Sequence, residues 1–98
     1  MAYTLVFDPS AEADLLSIER YVSVRSPSGA ENVLRDIDEA IGIIMEFPLM
    51  SRLYQPDNVR TRITLKYKYR IVFQFDGATI TIFQILHAKQ NFTAIRSE

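Results

Sequence analysis

The feature that most constrains the fold is Asp76-Gly77, which lies between two runs of β-branched and aromatic residues. Asp-Gly in this setting favours a two-residue hairpin turn, because a type I′ turn needs positive φ at both central positions. The predicted turn pairs Phe75 with Ala78 and Phe73 with Ile80. The residues then expected to face the core are Tyr69, Ile71, Phe73, Phe75, Ile80 and Ile82. The opposite, mixed face would carry Arg70, Val72, Gln74, Thr79, Thr81, Phe83, Ile85 and His87.

A third strand, at about residues 59–65, precedes this hairpin and repeats the alternation of apolar and polar residues. A slip of one residue would exchange its two faces, so burial is expected to set the register. Pairing Leu65 with Tyr69 and Ile63 with Ile71 keeps the apolar side chains together. The residues that this register places on the mixed face, beside Arg70, are Arg60, Arg62 and Thr64. We therefore expect the functional residues on that face.

A short strand at residues 3–7 and a helix at residues 9–24 open the chain. Asp8 is a suitable N-cap, and Pro9 suits the first helical position because its missing N–H would have no helical partner there. Ser28 and Glu31 have the spacing of a capping box for a second helix that ends at about Phe47.

The second helix has one apolar stripe and one acidic face. Its expected buried residues are Val33, Leu34, Ile37, Ile41, Ile44 and Met45, and its expected solvated residues are Arg35, Asp36, Asp38 and Glu39. Gly42 interrupts the helix at a cost of about 1 kcal/mol relative to Ala. Close packing of Gly42 on the first helix is the expected reason.

These elements predict one α+β domain over residues 1–98, in the order β-α-α-β-β-β. A helical hairpin would cover the apolar face of a mainly antiparallel four-stranded sheet. Residues 49–58 are expected to form an irregular connector. We expect a cytoplasmic protein that makes no membrane contact, because no stretch approaches about 18 consecutive apolar residues and no signal peptide is evident.

Composition excludes several kinds of chemistry. The chain has no cysteine and one histidine, which excludes the common zinc sets, and it has no glycine-rich phosphate loop. We expect neither a metal nor a cofactor. Charge is unevenly distributed: residues 1–57 carry four arginines and ten carboxylates, whereas residues 58–98 carry seven Lys or Arg and two carboxylates. The sheet is therefore locally basic although the net charge is −1.

The chain resembles the ParE branch of the RelE/ParE toxin superfamily along almost its whole length. The first helix has the family pattern in Asp14-Leu15, Ile18 and Tyr21, and Phe47-Pro48 resembles the stop that follows the second helix. The family arginine corresponds to Arg62, seven residues before Tyr69-Arg70-Ile71, and His87 corresponds to the histidine that ends an Ile-rich strand. Where the family often has Gly-Arg after this histidine, the chain has Ala88-Lys89.

The resemblance implies the toxin of a bacterial type II toxin–antitoxin system, which inhibits DNA gyrase and is neutralised by a ParD-like antitoxin in a hetero-oligomer. The alternatives are a ribosome-dependent mRNA endonuclease similar to RelE, and a relic without activity. Residues expected to bind the target or antitoxin are Arg60, Arg62, Arg70, Phe83, His87 and Lys89. Catalytic candidates for an endonuclease are Arg62, Tyr67, His87 and Lys89.

The net charge of −1 favours the gyrase inhibitor, since an enzyme that grips mRNA needs strong attraction to phosphate. The apolar residues Val72, Phe83 and Ile85 of the mixed face are expected to be partly exposed among arginines. Such a patch is typical of an interface. We expect an acidic, amphipathic antitoxin segment to cover it, the alternative being a homodimer through the same patch.

Overall fold

Residues 3–87, the part that the computed structural model describes, form two helices on one side of a five-stranded sheet. The helices are α1 (Pro9–Arg25) and α2 (Pro27–Glu46). The strands are β1 (Thr4–Phe7), β2 (Arg52–Gln55), β3 (Val59–Ile63), β4 (Tyr69–Phe75) and β5 (Thr79–His87). The strand order is β1-β5-β4-β3-β2, and β1 is parallel to β5 while the other neighbours are antiparallel. The predicted α+β fold is thereby confirmed.

The connector supplies a strand that the sequence did not predict. After α2, residues Pro48–Met50 form one turn of 3-10 helix, and β2 then pairs with β3 at the edge of the sheet. The strand is short and its pairing is irregular between Leu53 and Gln55. A segment of four residues with exposed side chains carries little periodic signal, which is why this part was expected to be irregular.

The helix ends follow from their caps. The carboxylate of Asp8 accepts a hydrogen bond from Ser10 N at 3.1 Å, as expected for an N-cap. For α2 the predicted capping box is wrong, because Ser26 is the N-cap and its Oγ accepts from Gly29 N at 3.1 Å. Pro27 holds Ser26 in an extended conformation and starts the helix at once, so Ser28 already lies within the first turn.

Gly42 does not serve helix packing. It is exposed, and a Cβ built on it would meet no atom within 4 Å, so the predicted close approach to α1 is wrong. The tight position is Gly29, where a Cβ would lie 2.9 Å from the Ser26 Oγ that caps the helix.

The core lies between the sheet and the two helices. The predicted inward residues of the hairpin are all buried: Tyr69, Ile71, Phe73, Phe75, Ile80 and Ile82. They pack against an apolar cluster from the helices that includes Ala11, Val33, Ile37, Ala40, Ile41 and Ile44. This face of the sheet was therefore predicted correctly.

Residues 76–78 connect β4 and β5, so the hairpin loop is one residue longer than the predicted two-residue loop. Phe75 pairs with Ile80 and Phe73 with Ile82, a shift of two residues that keeps the same side chains inward. The Asp76 carboxylate accepts hydrogen bonds from Ala78 N at 2.9 Å and Thr79 N at 2.7 Å. These bonds stabilise the longer loop, in which Gly77 takes the positive φ of 99°.

A bulge in β5 moves the end of that strand to the other face. Phe73 pairs with Ile82 and Val72 with Gln84, so Phe83 has no partner on β4. One extra residue reverses the alternation beyond it. Ile85 and His87 were predicted on the mixed face, and both predictions are wrong. Ile85 is buried in the core, and His87 pairs with inward-facing Tyr69.

The predicted register of β3 is also wrong, by one residue. Arg62 pairs with Ile71, and Ile63 with Arg70. Directly paired residues share a face, so Arg62 lies on the helix side of the sheet. Arg60 and Thr64 lie there too, because Arg60 pairs with Phe73, and Thr64 N donates to Tyr69 O at 2.8 Å. These three residues were expected on the mixed face, and their side chains are on the opposite one.

Candidate functional site

The register of β3 is held by a carboxylate from α2. Asp36 was predicted to be solvated, but it is only 4% exposed. Its Oδ1 accepts a hydrogen bond from Lys66 N at 3.2 Å and its Oδ2 one from Tyr67 N at 2.8 Å. The Asp36 carboxylate thus binds the backbone of the loop at residues 65–68, in which Lys68 has a positive φ of 60°. The loop fixed in this way sets which residues of β3 and β4 meet.

The electrostatics of Asp36 agree with that role. Burial alone would raise the pKa of its carboxyl group, but hydrogen bonds from the Tyr67 N–H, the Thr64 hydroxyl and the Lys66 N–H outweigh it. The pKa is therefore lowered from its ordinary value. Thr64 completes the arrangement, since its Oγ1 also accepts from Tyr69 N at 3.0 Å. The ionised form of Asp36 is the one that the fold uses.

Arg60 fastens the segment that follows α2. Its Nε donates to Asn58 Oδ1 at 2.7 Å, and one terminal nitrogen donates to Leu49 O at 3.2 Å and Ser51 O at 2.8 Å. A single guanidinium thus satisfies two backbone carbonyls of a bend that has no regular ladder there. These contacts explain why an arginine lies on the helix side of the sheet, and they give Arg60 a structural role.

Arg62 lies beside Arg60 on that side and is half-buried. Its Nε donates to Ser51 Oγ at 3.1 Å, and its side chain borders a small cleft of about 60 Å³ between α2 and β3. The cleft is also lined by Glu39 and Lys66, which are both exposed. Arg62 therefore reaches solvent next to α2 and not on the open face of the sheet.

The outer face of the sheet is the one that the helices leave uncovered. Among the described residues of the strands, the basic residues on this face are Arg52, which pairs with outward-facing Thr61, and Arg70, whose terminal nitrogen lies 3.4 Å from Thr61 Oγ1. Val72 was expected to be partly exposed here but is fully buried. Gln84 Oε1 is also buried, and it has no hydrogen-bond partner among residues 3–87. The described strands thus place two arginines, Arg52 and Arg70, on the outer face.

His87 belongs to a different place, a groove between α1 and the end of the sheet. We call it the Asp14 groove; its volume is about 620 Å³, and it is lined by Asp14, Ser17, Ile18, Tyr21, Tyr69, Ile85, Leu86 and His87. The rings of Tyr69 and His87 meet edge to face, with centroids 5.4 Å apart. Arg25 stacks on the ring of Tyr21, with the guanidinium carbon 3.8 Å from the ring centroid.

Asp14 supplies the carboxylate of this groove. Its Oδ2 accepts a hydrogen bond from Ile85 N at 2.9 Å, which joins α1 to β5 just beyond the bulge. Burial raises the pKa of this carboxyl group, and the Ile85 N–H only partly offsets the shift. Asp14 is thus a half-buried carboxylate whose charge is stabilised by one backbone N–H group and disfavoured by burial.

The candidate residues from the sequence are thus divided among separate places. Arg60 and Arg62 lie beside the connector, Arg70 on the outer face, and His87 in the Asp14 groove. Phe83 is the half-buried bulge residue of β5, Tyr67 lies in the loop between β3 and β4, and Lys89 lies outside the described residues. The sequence did not predict that the carboxylates of Asp14 and Asp36 accept hydrogen bonds from the backbone of the sheet and its loop. Each lies on a helix stripe among apolar residues, which is the signal that could have revealed it.

Comparison with known proteins assigns the family. The family model for the ParE toxin of the type II toxin–antitoxin system parDE matches residues 5–92. The chain belongs to the ParE toxin family. Among curated protein sequences, none matches this ParE-type toxin significantly.

Solved structures share the fold of this ParE-type toxin at low sequence identity. A chain of the chromosomal ParDE system from P. aeruginosa matches with a TM-score of 0.78 and 23% identity, over 90% of this chain and 98% of that one. The RelBE2 toxin–antitoxin complex from Mycobacterium tuberculosis gives 0.61 and 20%, over 89% and 99%. The intact RelBE complex from E. coli gives 0.56 and 19%, over 91% and 100%.

The described residues of the ParE-type toxin offer neither a metal-binding cluster nor a membrane-spanning helix. Residues 3–87 contain no group of three or more His, Cys, Asp or Glu side chains arranged to hold a metal ion. In the same range, neither helix is long and apolar enough to cross a membrane.

Proposed function

We propose that this ParE-type toxin acts by binding DNA gyrase, in the cytoplasm, and not by cleaving RNA. The observation that supports this most strongly is the separation of the arginines. Arg60 and Arg62 lie on the helix side of the sheet, and Arg52 and Arg70 on the outer face. A ribonuclease site needs several cationic and proton-transferring groups around one phosphate. The described residues offer no such cluster.

Charge argues in the same direction. Affinity for RNA comes largely from Lys and Arg side chains that neutralise phosphates. Two of the four strand arginines, Arg60 and Arg62, are engaged with the connector, through Leu49, Ser51 and Asn58. The half of the chain that contains the helices carries ten carboxylates against four arginines. A protein surface is a better partner for such a distribution than a nucleic acid is.

A cognate ParD-like antitoxin is the second part of the proposal. The three solved structures compared above come from toxin–antitoxin systems. The toxin also exposes apolar side chains around the connector, which we call the connector patch: Phe47 (49% exposed), Leu49 (60%), Met50 (68%) and Leu53 (57%). A cluster of exposed apolar residues on a small domain is typical of a binding surface. We propose that an antitoxin covers it within a hetero-oligomer.

The residues proposed to contact gyrase or antitoxin are five of the six that the sequence predicted for this role. Arg70 and Phe83 would act from the outer face, Arg62 from the cleft beside α2, and His87 from the Asp14 groove. Lys89, two residues after His87 in the sequence, would add a further positive charge for binding. Arg60 is retained as support for the connector and not as a contact.

Supercoiling by purified gyrase tests this proposal. The toxin should inhibit supercoiling and trap broken DNA, and an equimolar amount of the antitoxin encoded next to the toxin gene should restore activity. Arg70→Gln should weaken inhibition, whereas the matched variant Arg35→Gln, on the exposed face of α2, should inhibit like the parent. Gyrase that remains fully active in the presence of folded toxin would refute the proposal.

A further inference from the structure

We infer that the Asp14 groove binds an arginine or lysine side chain from a partner segment whose neighbouring side chains are apolar. In the cell this partner would be the antitoxin, and that identification rests on the proposed function. The cationic group would meet the Asp14 carboxylate, and the apolar neighbours would lie against Ile18 and Tyr69.

The carboxylate provides the first line of support. Asp14 Oδ2 accepts one hydrogen bond, from Ile85 N at 2.9 Å. Among residues 3–87, no donor reaches Asp14 Oδ1, and no cation pairs with the group. An ionised carboxylate has room for about four hydrogen bonds, so most of its accepting capacity is unused. Burial already disfavours its charge, and a cation would relieve that cost.

The walls of the groove provide the second line of support. Tyr21, Tyr69 and His87 present ring surfaces and edges around the carboxylate, and Ile18 adds an aliphatic wall. A guanidinium is planar and weakly hydrated, so it can stack on a ring while its N–H groups bind a carboxylate. Arg25 demonstrates the stacking on this same surface, because it lies 3.8 Å from the centroid of the Tyr21 ring. It lies at the other end of α1 from Asp14 and does not pair with it.

Charge complementarity identifies the sign of the partner. Helix α1, which borders the groove, belongs to the half of the chain with ten carboxylates and four arginines. The sequence led us to expect an acidic antitoxin segment, because it placed Arg60, Arg62 and Arg70 together on the mixed face of the sheet. Since Arg60 and Arg62 lie elsewhere, that expectation loses its basis, and a segment crossing α1 should be basic.

The test uses the full chain and two blocked tripeptides, N-acetyl-Leu-Arg-Leu-amide and the same peptide with citrulline in place of arginine. Citrulline has the shape of arginine without its charge. Binding is followed by the amide resonances of Ile85 and Leu86 during a titration. We expect the arginine peptide to bind about tenfold more tightly, as loss of a charge-assisted hydrogen bond implies. Equal affinity of the two peptides would overturn the inference.

Asp14→Asn is the decisive variant, since asparagine keeps an oxygen to accept from Ile85 N but removes the charge. It should abolish the preference for arginine, while Glu12→Gln, at an exposed position on the same helix, should retain it. A preference that persists in Asp14→Asn would locate the cation site elsewhere and overturn the inference.

The Ile85 resonance also tests two other possible occupants of the Asp14 groove. If Lys89→Gln in the peptide-free protein shifts the Ile85 resonance, the chain's own residues 88–98 fill the groove. If dilution of the parent shifts that resonance, a second copy fills it. Either result would overturn the assignment to a partner segment. None of these measurements involves gyrase, so their failure is distinct from failure of the proposed function.

Discussion

Replacing Asp36 by alanine should destabilise the protein far more than removing an exposed charge from the same helix. The substitution removes the acceptor for the N–H groups of Lys66 and Tyr67 and for the hydroxyl of Thr64. It also frees the loop that fixes the pairing of β3 with β4. A buried side chain of α2 thereby controls the arrangement of two strands.

The magnitude follows from the hydrogen bonds. Bonds to a charged acceptor contribute about 1.5–3 kcal/mol each to stability. Lys66 and Tyr67 are exposed, so water can replace part of what their backbone loses. Thr64 is only 1% exposed, and its hydroxyl has no such replacement. We therefore expect Asp36→Ala to lower the free energy of unfolding by about 2–4 kcal/mol.

Urea unfolding followed by circular dichroism measures this loss, with Asp38→Ala as the control. Asp38 lies on the same helix but is exposed, so its loss should change stability by less than about 0.5 kcal/mol. The pKa of Asp36 is lowered in the folded state, so its stabilisation is present above the unfolded value of about 3.9. It is lost as the pH falls through the lower, folded pKa, and the difference between the parent and Asp36→Ala should shrink in acid.

Equal stability of Asp36→Ala and Asp38→Ala at neutral pH would refute this reasoning. So would a difference that grows as the pH is lowered from 5 to 2. Either result would mean that the apolar pattern of the strands, and not the carboxylate, sets the register.

Three further substitutions test other parts of the structure by urea unfolding. Arg60→Met should cost about 1–3 kcal/mol, because it leaves two backbone carbonyls of the connector without a donor, while Arg52→Met at an exposed position should be nearly neutral. Gly42→Ala should stabilise by about 1 kcal/mol, since a Cβ there meets nothing, and a loss would reveal a contact. Asp14→Asn should be as stable as the parent or more stable at pH 7, because burial raises the Asp14 pKa and so penalises the ionised form. That gain in stability should vanish at pH 3, where the Asp14 carboxyl group is protonated in both the folded and the unfolded state. A gain that persists at pH 3 would contradict a raised pKa of Asp14 as its cause.

The sequence was sufficient for the fold because its strongest patterns are long and local. The alternation in β4 and β5 specified the inward face, and a shift of two residues in the hairpin left that face unchanged. The caps and prolines specified where the helices lie, within one or two residues. These patterns depend on neighbours along the chain, which a sequence displays directly.

The faces on which the candidate residues lie were predicted poorly because they depend on register shifts of one residue. A bulge of one residue at Phe83 moved Ile85 and His87 to the helix side, and a shift of one residue in β3 did the same for Arg60 and Arg62. The bulge has no glycine to mark it, and the β3 register is held by Asp36, which lies about thirty positions earlier in the sequence. Apolar burial alone favoured Ile63 inward, but Ile63 is 40% exposed. A long-range polar contact outweighed it.

The most direct test of the central claim compares two readouts in the same cells after the toxin is expressed without its antitoxin. One is the amount of gyrase trapped on broken DNA, and the other is the position of cuts in translated transcripts. We predict trapped gyrase with intact transcripts, and loss of the trapped gyrase when the neighbouring antitoxin gene is induced. Transcript cuts in register with codons, with DNA supercoiling unchanged, would contradict the account and establish an mRNA endonuclease.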